Sequence, residues 1–144
     1  MFFSVNTLVP KSIKSSGIST SFVQREAICG KGKGKNLKSV LTGLTRAGWA
    51  DGASINIVDT HGGAMANVEV YEDQHSVQVT TDRMGNSSHF NAYKRIPVPQ
   101  MPELSSVIRQ RRVDLLPAPR SKTDIARILS NSDDGPGTYA CCTV

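Results

Sequence analysis

Apolar and polar residues alternate through most of residues 54–96, and a period of two predicts β-strands with one buried face. Ile55 and Ile57 share a face of a run at Ser54–Thr60, Val68 and Val70 of Ala64–Tyr71, and Val77 and Val79 of His75–Thr81. Phe90, Ala92 and Ile96 mark a fourth run, Ser88–Ile96. His61-Gly62-Gly63, Glu72-Asp73-Gln74 and the stretch around Gly85-Asn86 carry turn-forming residues. Links this short force antiparallel neighbours, so the pattern predicts a four-stranded antiparallel meander over about 54–96.

The period changes to that of a helix on either side. Leu37, Val40, Leu41 and Leu44 form one stripe over about 36–47, with Asn36 suited to the N-cap and Gly48 to the position after the end. Gly43 is out of place there, because glycine weakens a helix interior. Pro97, Pro99 and Pro102 stop the sheet and impose an extended link. A second helix follows from Glu103 to about Val113, with Leu104, Val107 and Ile108 inward. Ser121 and Asp124 have the spacing of a capping box and open a short third helix carrying Ile125, Ile128 and Leu129. The predicted class is α+β, with the sheet packed against the helix at 36–47 and one or two short C-terminal helices.

The ends are less patterned. Residues 1–28 are rich in Ser and Thr, with short strands expected at Val5–Val9 and Ile18–Val23, and read as a partly ordered arm. Residues 29–130 read as one α+β domain, and 131–144 as a flexible polar tail. A chain of 144 residues suits one such domain. No apolar run reaches the roughly 18 residues of a membrane span. Met1–Pro10 lacks the charged start and long apolar stretch of a secretory signal, so an intracellular or virion-associated place is expected. Three cysteines form no disulfide framework.

Charge changes the picture most. The formal net charge is +5, and it is unevenly divided. Residues 1–50 carry eight basic side chains against Glu26 alone, a net of +7. Residues 51–93 carry −5, and the remainder +3. An acidic middle between basic ends fits two arrangements. The ends can pack around the middle as ordinary fold electrostatics, or basic arms of one copy can meet the acidic sheet of another.

The sharpest local signal is Gly30-Lys31-Gly32-Lys33-Gly34-Lys35, placed directly before the helix at 36–47. A helix start bears a partial positive charge of roughly +0.5, and Lys31, Lys33, Lys35 and Lys38 add four cations beside it. Glycines let backbone N–H groups approach a ligand, so a phosphate is the natural occupant. The spacing matches neither a P-loop nor a dinucleotide fingerprint, which argues against nucleotide hydrolysis. The alternative is a solvated loop that keeps the chain soluble.

Arg109, Arg111 and Arg112 form a second basic cluster, where Arg109 and Arg112 share a side and Arg111 lies nearer the apolar stripe. Such a helix can lie along a phosphate backbone or present a solvated face. No aromatic residues interleave with either cluster, so contact should be to backbone rather than bases. His61, His75 and His89 recur every fourteen residues, a spacing the strand-plus-turn length explains without a metal. Cys29 reads as a buried structural thiol, or as one activated by the adjacent lysines. No nucleophile sits in a catalytic context, and no cofactor is implied.

These observations point to a small basic non-enzymatic protein. It would contact a polyanion (RNA, DNA or an acidic membrane surface) without sequence preference and associate with itself, as capsid or matrix components do by analogy. Lys31, Lys33, Lys35, Lys38, Arg109 and Arg112 are the expected contacts. A protein-interaction adaptor, docking through a sheet edge and the Pro97–Pro102 segment, is the competing class.

Overall fold

The computed structural model describes residues 1–29, 36–46, 48–81, 87–101 and 104–130. Its elements are β1 (Phe2–Leu8), α1 (Thr20–Cys29), α2 (Leu37–Leu44), β2 (Gly52–Asp59), β3 (Ala64–Tyr71), β4 (Gln74–Thr81), α3 (Leu104–Leu115) and α4 (Lys122–Leu129). The four strands form one antiparallel sheet in the order β1-β2-β3-β4, so the chain is α+β.

Three of the strands lie where alternation puts them. The fourth does not. Ser88–Ile96 forms no strand, and the place beside β2 is taken by Phe2–Leu8, in register from Phe2 opposite Val58 to Leu8 opposite Gly52. The helices between these neighbours lie within residues 9–51, a connection too long for short-loop reasoning to foresee. The reading of Ile18–Val23 as a strand also gives way. Thr20, Val23 and Ala27 are the buried residues of a helix, on one face at spacings of three and four. Asp51 starts that helix by accepting from the Thr20 N–H at 3.1 Å and from the Thr20 hydroxyl.

The helix predicted at 36–47 is α2. Its Asn36 side chain accepts from Ser39 N at 2.9 Å, and Val40 and Leu44 are fully buried. It ends at Leu44, with Thr45 as the C-cap. Gly43 faces α1, where a Cβ would come within 3.1 Å of Ala27 Cβ, so the glycine permits a close helix pair. The two helices cover Ile55, Ile57, Ala66, Val68 and Val70 on the apolar face of the sheet, with Trp49 sealing the margin.

The other face carries Ser54, Asn56, Asn67, Glu69, Ser76 and Gln78, since side chains alternate along each strand. Residues 87–101 lie over it. Tyr93, Ile96 and Val98 join Leu8 and Tyr71 in a second apolar cluster there. The proline segment is tied down, with Lys11 N donating to Pro99 O and Met101 N to Val9 O.

α3 turns away from its expected orientation. Leu104 and Ile108 are exposed, at 74% and 39%, and Ser106 is its buried residue. α4 has the predicted capping box: Asp124 N donates to Ser121 Oγ, and Ser121 N to Asp124 Oδ2. These bonds hold the Asp124 carboxyl below its ordinary range, the Ser121 hydroxyl foremost. None of the α4 side chains is buried.

Candidate functional site

α1 and α2 present the basic layer. Arg25 and Lys38 are exposed, and neither forms an ion pair among the described residues. The layer's single acid, Glu26, accepts from Arg46 at 2.8 Å. Lys31, Lys33 and Lys35 lie outside the described residues, in the segment that joins Cys29 to Asn36. Lys38 sits in the first turn of α2, where the helix start reinforces its positive field.

Carboxylates elsewhere are held by the fold. Asp59 accepts from His61 N and Gly62 N across the β2–β3 turn, and the Gly62 N–H in particular holds its carboxyl low. Asp73 accepts from Gly48 N at 3.1 Å and stands 3.5 Å from Lys14 Nζ. Asp114 stands 3.6 Å from Lys94 Nζ. Asp59 and Asp73 of the acidic middle, and Asp114 beyond it, are thus engaged within the chain.

The α3 arginines are not grouped with Lys38. α3 meets the segment over the polar face, through Gln110 to Ser88 at 3.2 Å, while α2 covers the apolar face. The Arg109 guanidinium lies 5.2 Å from the centre of the Phe90 ring, a cation–π contact, and donates to Ser105 O. Arg112 is half-buried and Arg111 exposed, so their expected placements are exchanged. Cys29 is also exposed rather than buried.

The most elaborate polar arrangement went unanticipated. Glu69, between Val68 and Val70, is completely buried. Its oxygens accept from Lys94 N at 2.9 Å, Arg95 N at 2.9 Å and Ile96 N at 3.0 Å. His89 Nε2 lies 2.6 Å from Oε1, and Arg95 Nη1 3.8 Å from it. Burial pushes this carboxyl upward, but His89 and the three backbone donors outweigh it and set it at about 2. Arg95 spans the same face, donating to Ser76 Oγ at 3.2 Å, Gln78 Oε1 at 3.3 Å and Asn67 Oδ1. Asn67 in turn donates to Ser54 Oγ and Asn56 Oδ1.

This network clamps residues 94–96 to the sheet. The His89 side chain is only 2% exposed, and its Nδ1 has no partner among the described residues. His61 sits in the β2–β3 turn and His75 near the start of β4, both apart from His89. Glu69 is the one charged residue among the twelve that β2, β3 and β4 place on this sheet face, and nothing local in the sequence says what covers it. The partner donors are backbone N–H groups, which no pattern of side chains reveals.

Comparison with known protein families, curated proteins and solved structures yields no match for this chain. Among the described residues, no helix is long and apolar enough to cross a membrane.

Proposed function

We propose that this chain is a non-enzymatic binding protein that contacts a polyanion through α1, α2 and the lysine-rich segment joining them, and that it self-associates as a small structural component. The observation that carries the reading is the charge balance of this layer. Glu26, its one acid, is already engaged by Arg46, and Arg25 and Lys38 have no ion-pair partner among the described residues. Asp59, Glu69, Asp73, Asp114 and Asp124 are bonded elsewhere in the fold, and Asp51 is taken up by the start of α1. An external anion supplies what those carboxylates do not. Arg109, stacked on Phe90, is a secondary contact at most.

The ligand class follows from the side chains. Lysines are point charges without the planar fork that reads base edges, and the exposed aromatic of α1, Phe22, could stack on any base without reading its identity. Binding should thus follow phosphate density and ignore sequence. The experiment is a salt titration with a random single-stranded oligonucleotide. Wild-type affinity should fall steeply as salt rises from about 50 to 200 mM. Replacing Lys31, Lys33, Lys35 and Lys38 together by Gln should flatten the log–log slope by about 3, since each lost phosphate contact removes about 0.7. Low-salt affinity should weaken at least tenfold. Equal slopes for the two proteins, or no wild-type binding at low salt, would defeat the proposal.

A further inference from the structure

The outer edge of β4 is built in a way that natural edge strands usually avoid. Strand edges carry unpaired N–H and C=O groups, and proteins guard them with charge, proline, bulges or shortness. β4 runs eight residues, Gln74-His75-Ser76-Val77-Gln78-Val79-Thr80-Thr81, with no Lys, Arg, Asp, Glu or Pro. It pairs in unbroken register with β3, from Gln74 opposite Tyr71 to Thr81 opposite Ala64, and no described strand pairs with its other side.

The apolar layer also stops short here. Val77 and Val79 continue the row that includes Ile55, Ile57, Ala66 and Val68, all 3% exposed or less. Yet the two valines are 38% and 39% exposed, because α1 and α2 cover the middle of the sheet. A neighbouring strand would need valine-sized side chains at alternate positions to extend this row. β4 itself has them.

We infer that β4 pairs antiparallel with β4 of a second copy, about a two-fold axis at Gln78, joining two four-stranded sheets into one of eight. The register is self-complementary. Val77 faces Val79 of the other copy, and Val79 faces Val77, on the apolar side. Ser76 faces Thr80, and Gln78 faces its own counterpart, on the polar side. No like charges meet across the axis. Moving the axis by one residue loses this match: at Val77, His75 meets Val79, and at Val79, Val77 meets Thr81. A two-fold contact closes on itself and yields a dimer rather than a fibre. This contact rests on the self-association proposed above and can fail while the polyanion contact stands.

Directly opposed residues in such a pair have Cβ atoms about 5 Å apart, so charge at position 78 is a sensitive probe. Sedimentation of the full chain at about 1–100 μM should show dimers of the 15.5 kDa protein. Gln78→Lys and Gln78→Glu should each shift the population to monomer, by repulsion across the axis. An equimolar mixture of the two should restore dimers containing one of each. Because Gln78 also accepts from Arg95, each variant's circular dichroism and thermal unfolding are measured alongside. The inference fails if the wild type stays monomeric throughout that range. It also fails if folded single variants dimerise as the wild type does, or if mixing them restores nothing.

Discussion

Glu69→Ala is expected to destabilise the fold by about 4 kcal/mol, the range for breaking a buried hydrogen-bonded charge site. The loss comes from the donors left behind. Lys94, Arg95 and Ile96 each direct an N–H at this carboxylate, and His89 adds a fourth donor. Each buried donor deprived of its acceptor costs about 1–3 kcal/mol, and local relaxation recovers part of the total. Residues 87–101 should loosen as well, since Tyr93, Ile96 and Val98 sit on the sheet only while this segment is held. Urea unfolding followed through Trp49, the single tryptophan and 1% exposed, measures the change. A loss below about 1 kcal/mol would show that the segment holds without its clamp.

The same carboxylate makes stability depend on acid. Its folded-state value of about 2 lies below the ordinary 4.5. Above 4.5 it is ionised in both states, and its full contribution, about 3 kcal/mol, is present. As pH falls through 4.5 the unfolded chain takes up the proton first, and the contribution fades until about pH 2. About 2 kcal/mol of it should be gone by pH 3. Glu69→Gln cannot titrate, so its unfolding free energy should change less than the wild type's between pH 7 and pH 3. Equal changes in the two proteins would mean that other carboxylates govern the acid response.

How much of this was readable beforehand depends on the type of partner each residue takes. Ile55, Ile57, Val68 and Val70 found their places because strand burial follows a period of two. Asn36 and Ser121 found theirs because caps are local. A short strand around Val5–Val9 was legible, but its pairing with β2 was hidden by the connection through residues 9–51, over which pairing depends on three-dimensional closure. Glu69 was hidden for another reason. In a half-exposed strand a glutamate at an outward position reads as solvated, and nothing local announces that a later loop will cover it. The basic layer is intermediate: the run of lysines is plain in sequence, while the lack of an ion pair to Arg25 or Lys38 among the described residues is a property of the fold.

Gly17→Ala should destabilise by about 3 kcal/mol, the upper part of the range for overpacking. A Cβ added to Gly17 would fall 2.5 Å from Ala50 N and 2.7 Å from Trp49 C, and closer still to Ala50 Cα. These are backbone atoms, so no rotamer change relieves the clash. Either segment would have to shift, and both are tied. Ile18 N donates to Gly48 O at 2.7 Å, Ala50 N to Ile18 O at 3.0 Å and Lys14 N to Ala50 O at 3.0 Å. Separating them also withdraws Asp51 from Thr20, so α1 loses its start and its seat against α2. Gly43→Ala is the matched control. Its Cβ would meet the Ala27 methyl at 3.1 Å, a side-chain contact that a slight helix shift relieves. Alanine also gains about 1 kcal/mol of helix propensity, so this variant should stay within about 1 kcal/mol of wild type. Amide exchange should report faster opening of α1 in Gly17→Ala alone. If the two variants unfold alike, the close passage of residues 14–20 along 48–51 is not what seats that helix.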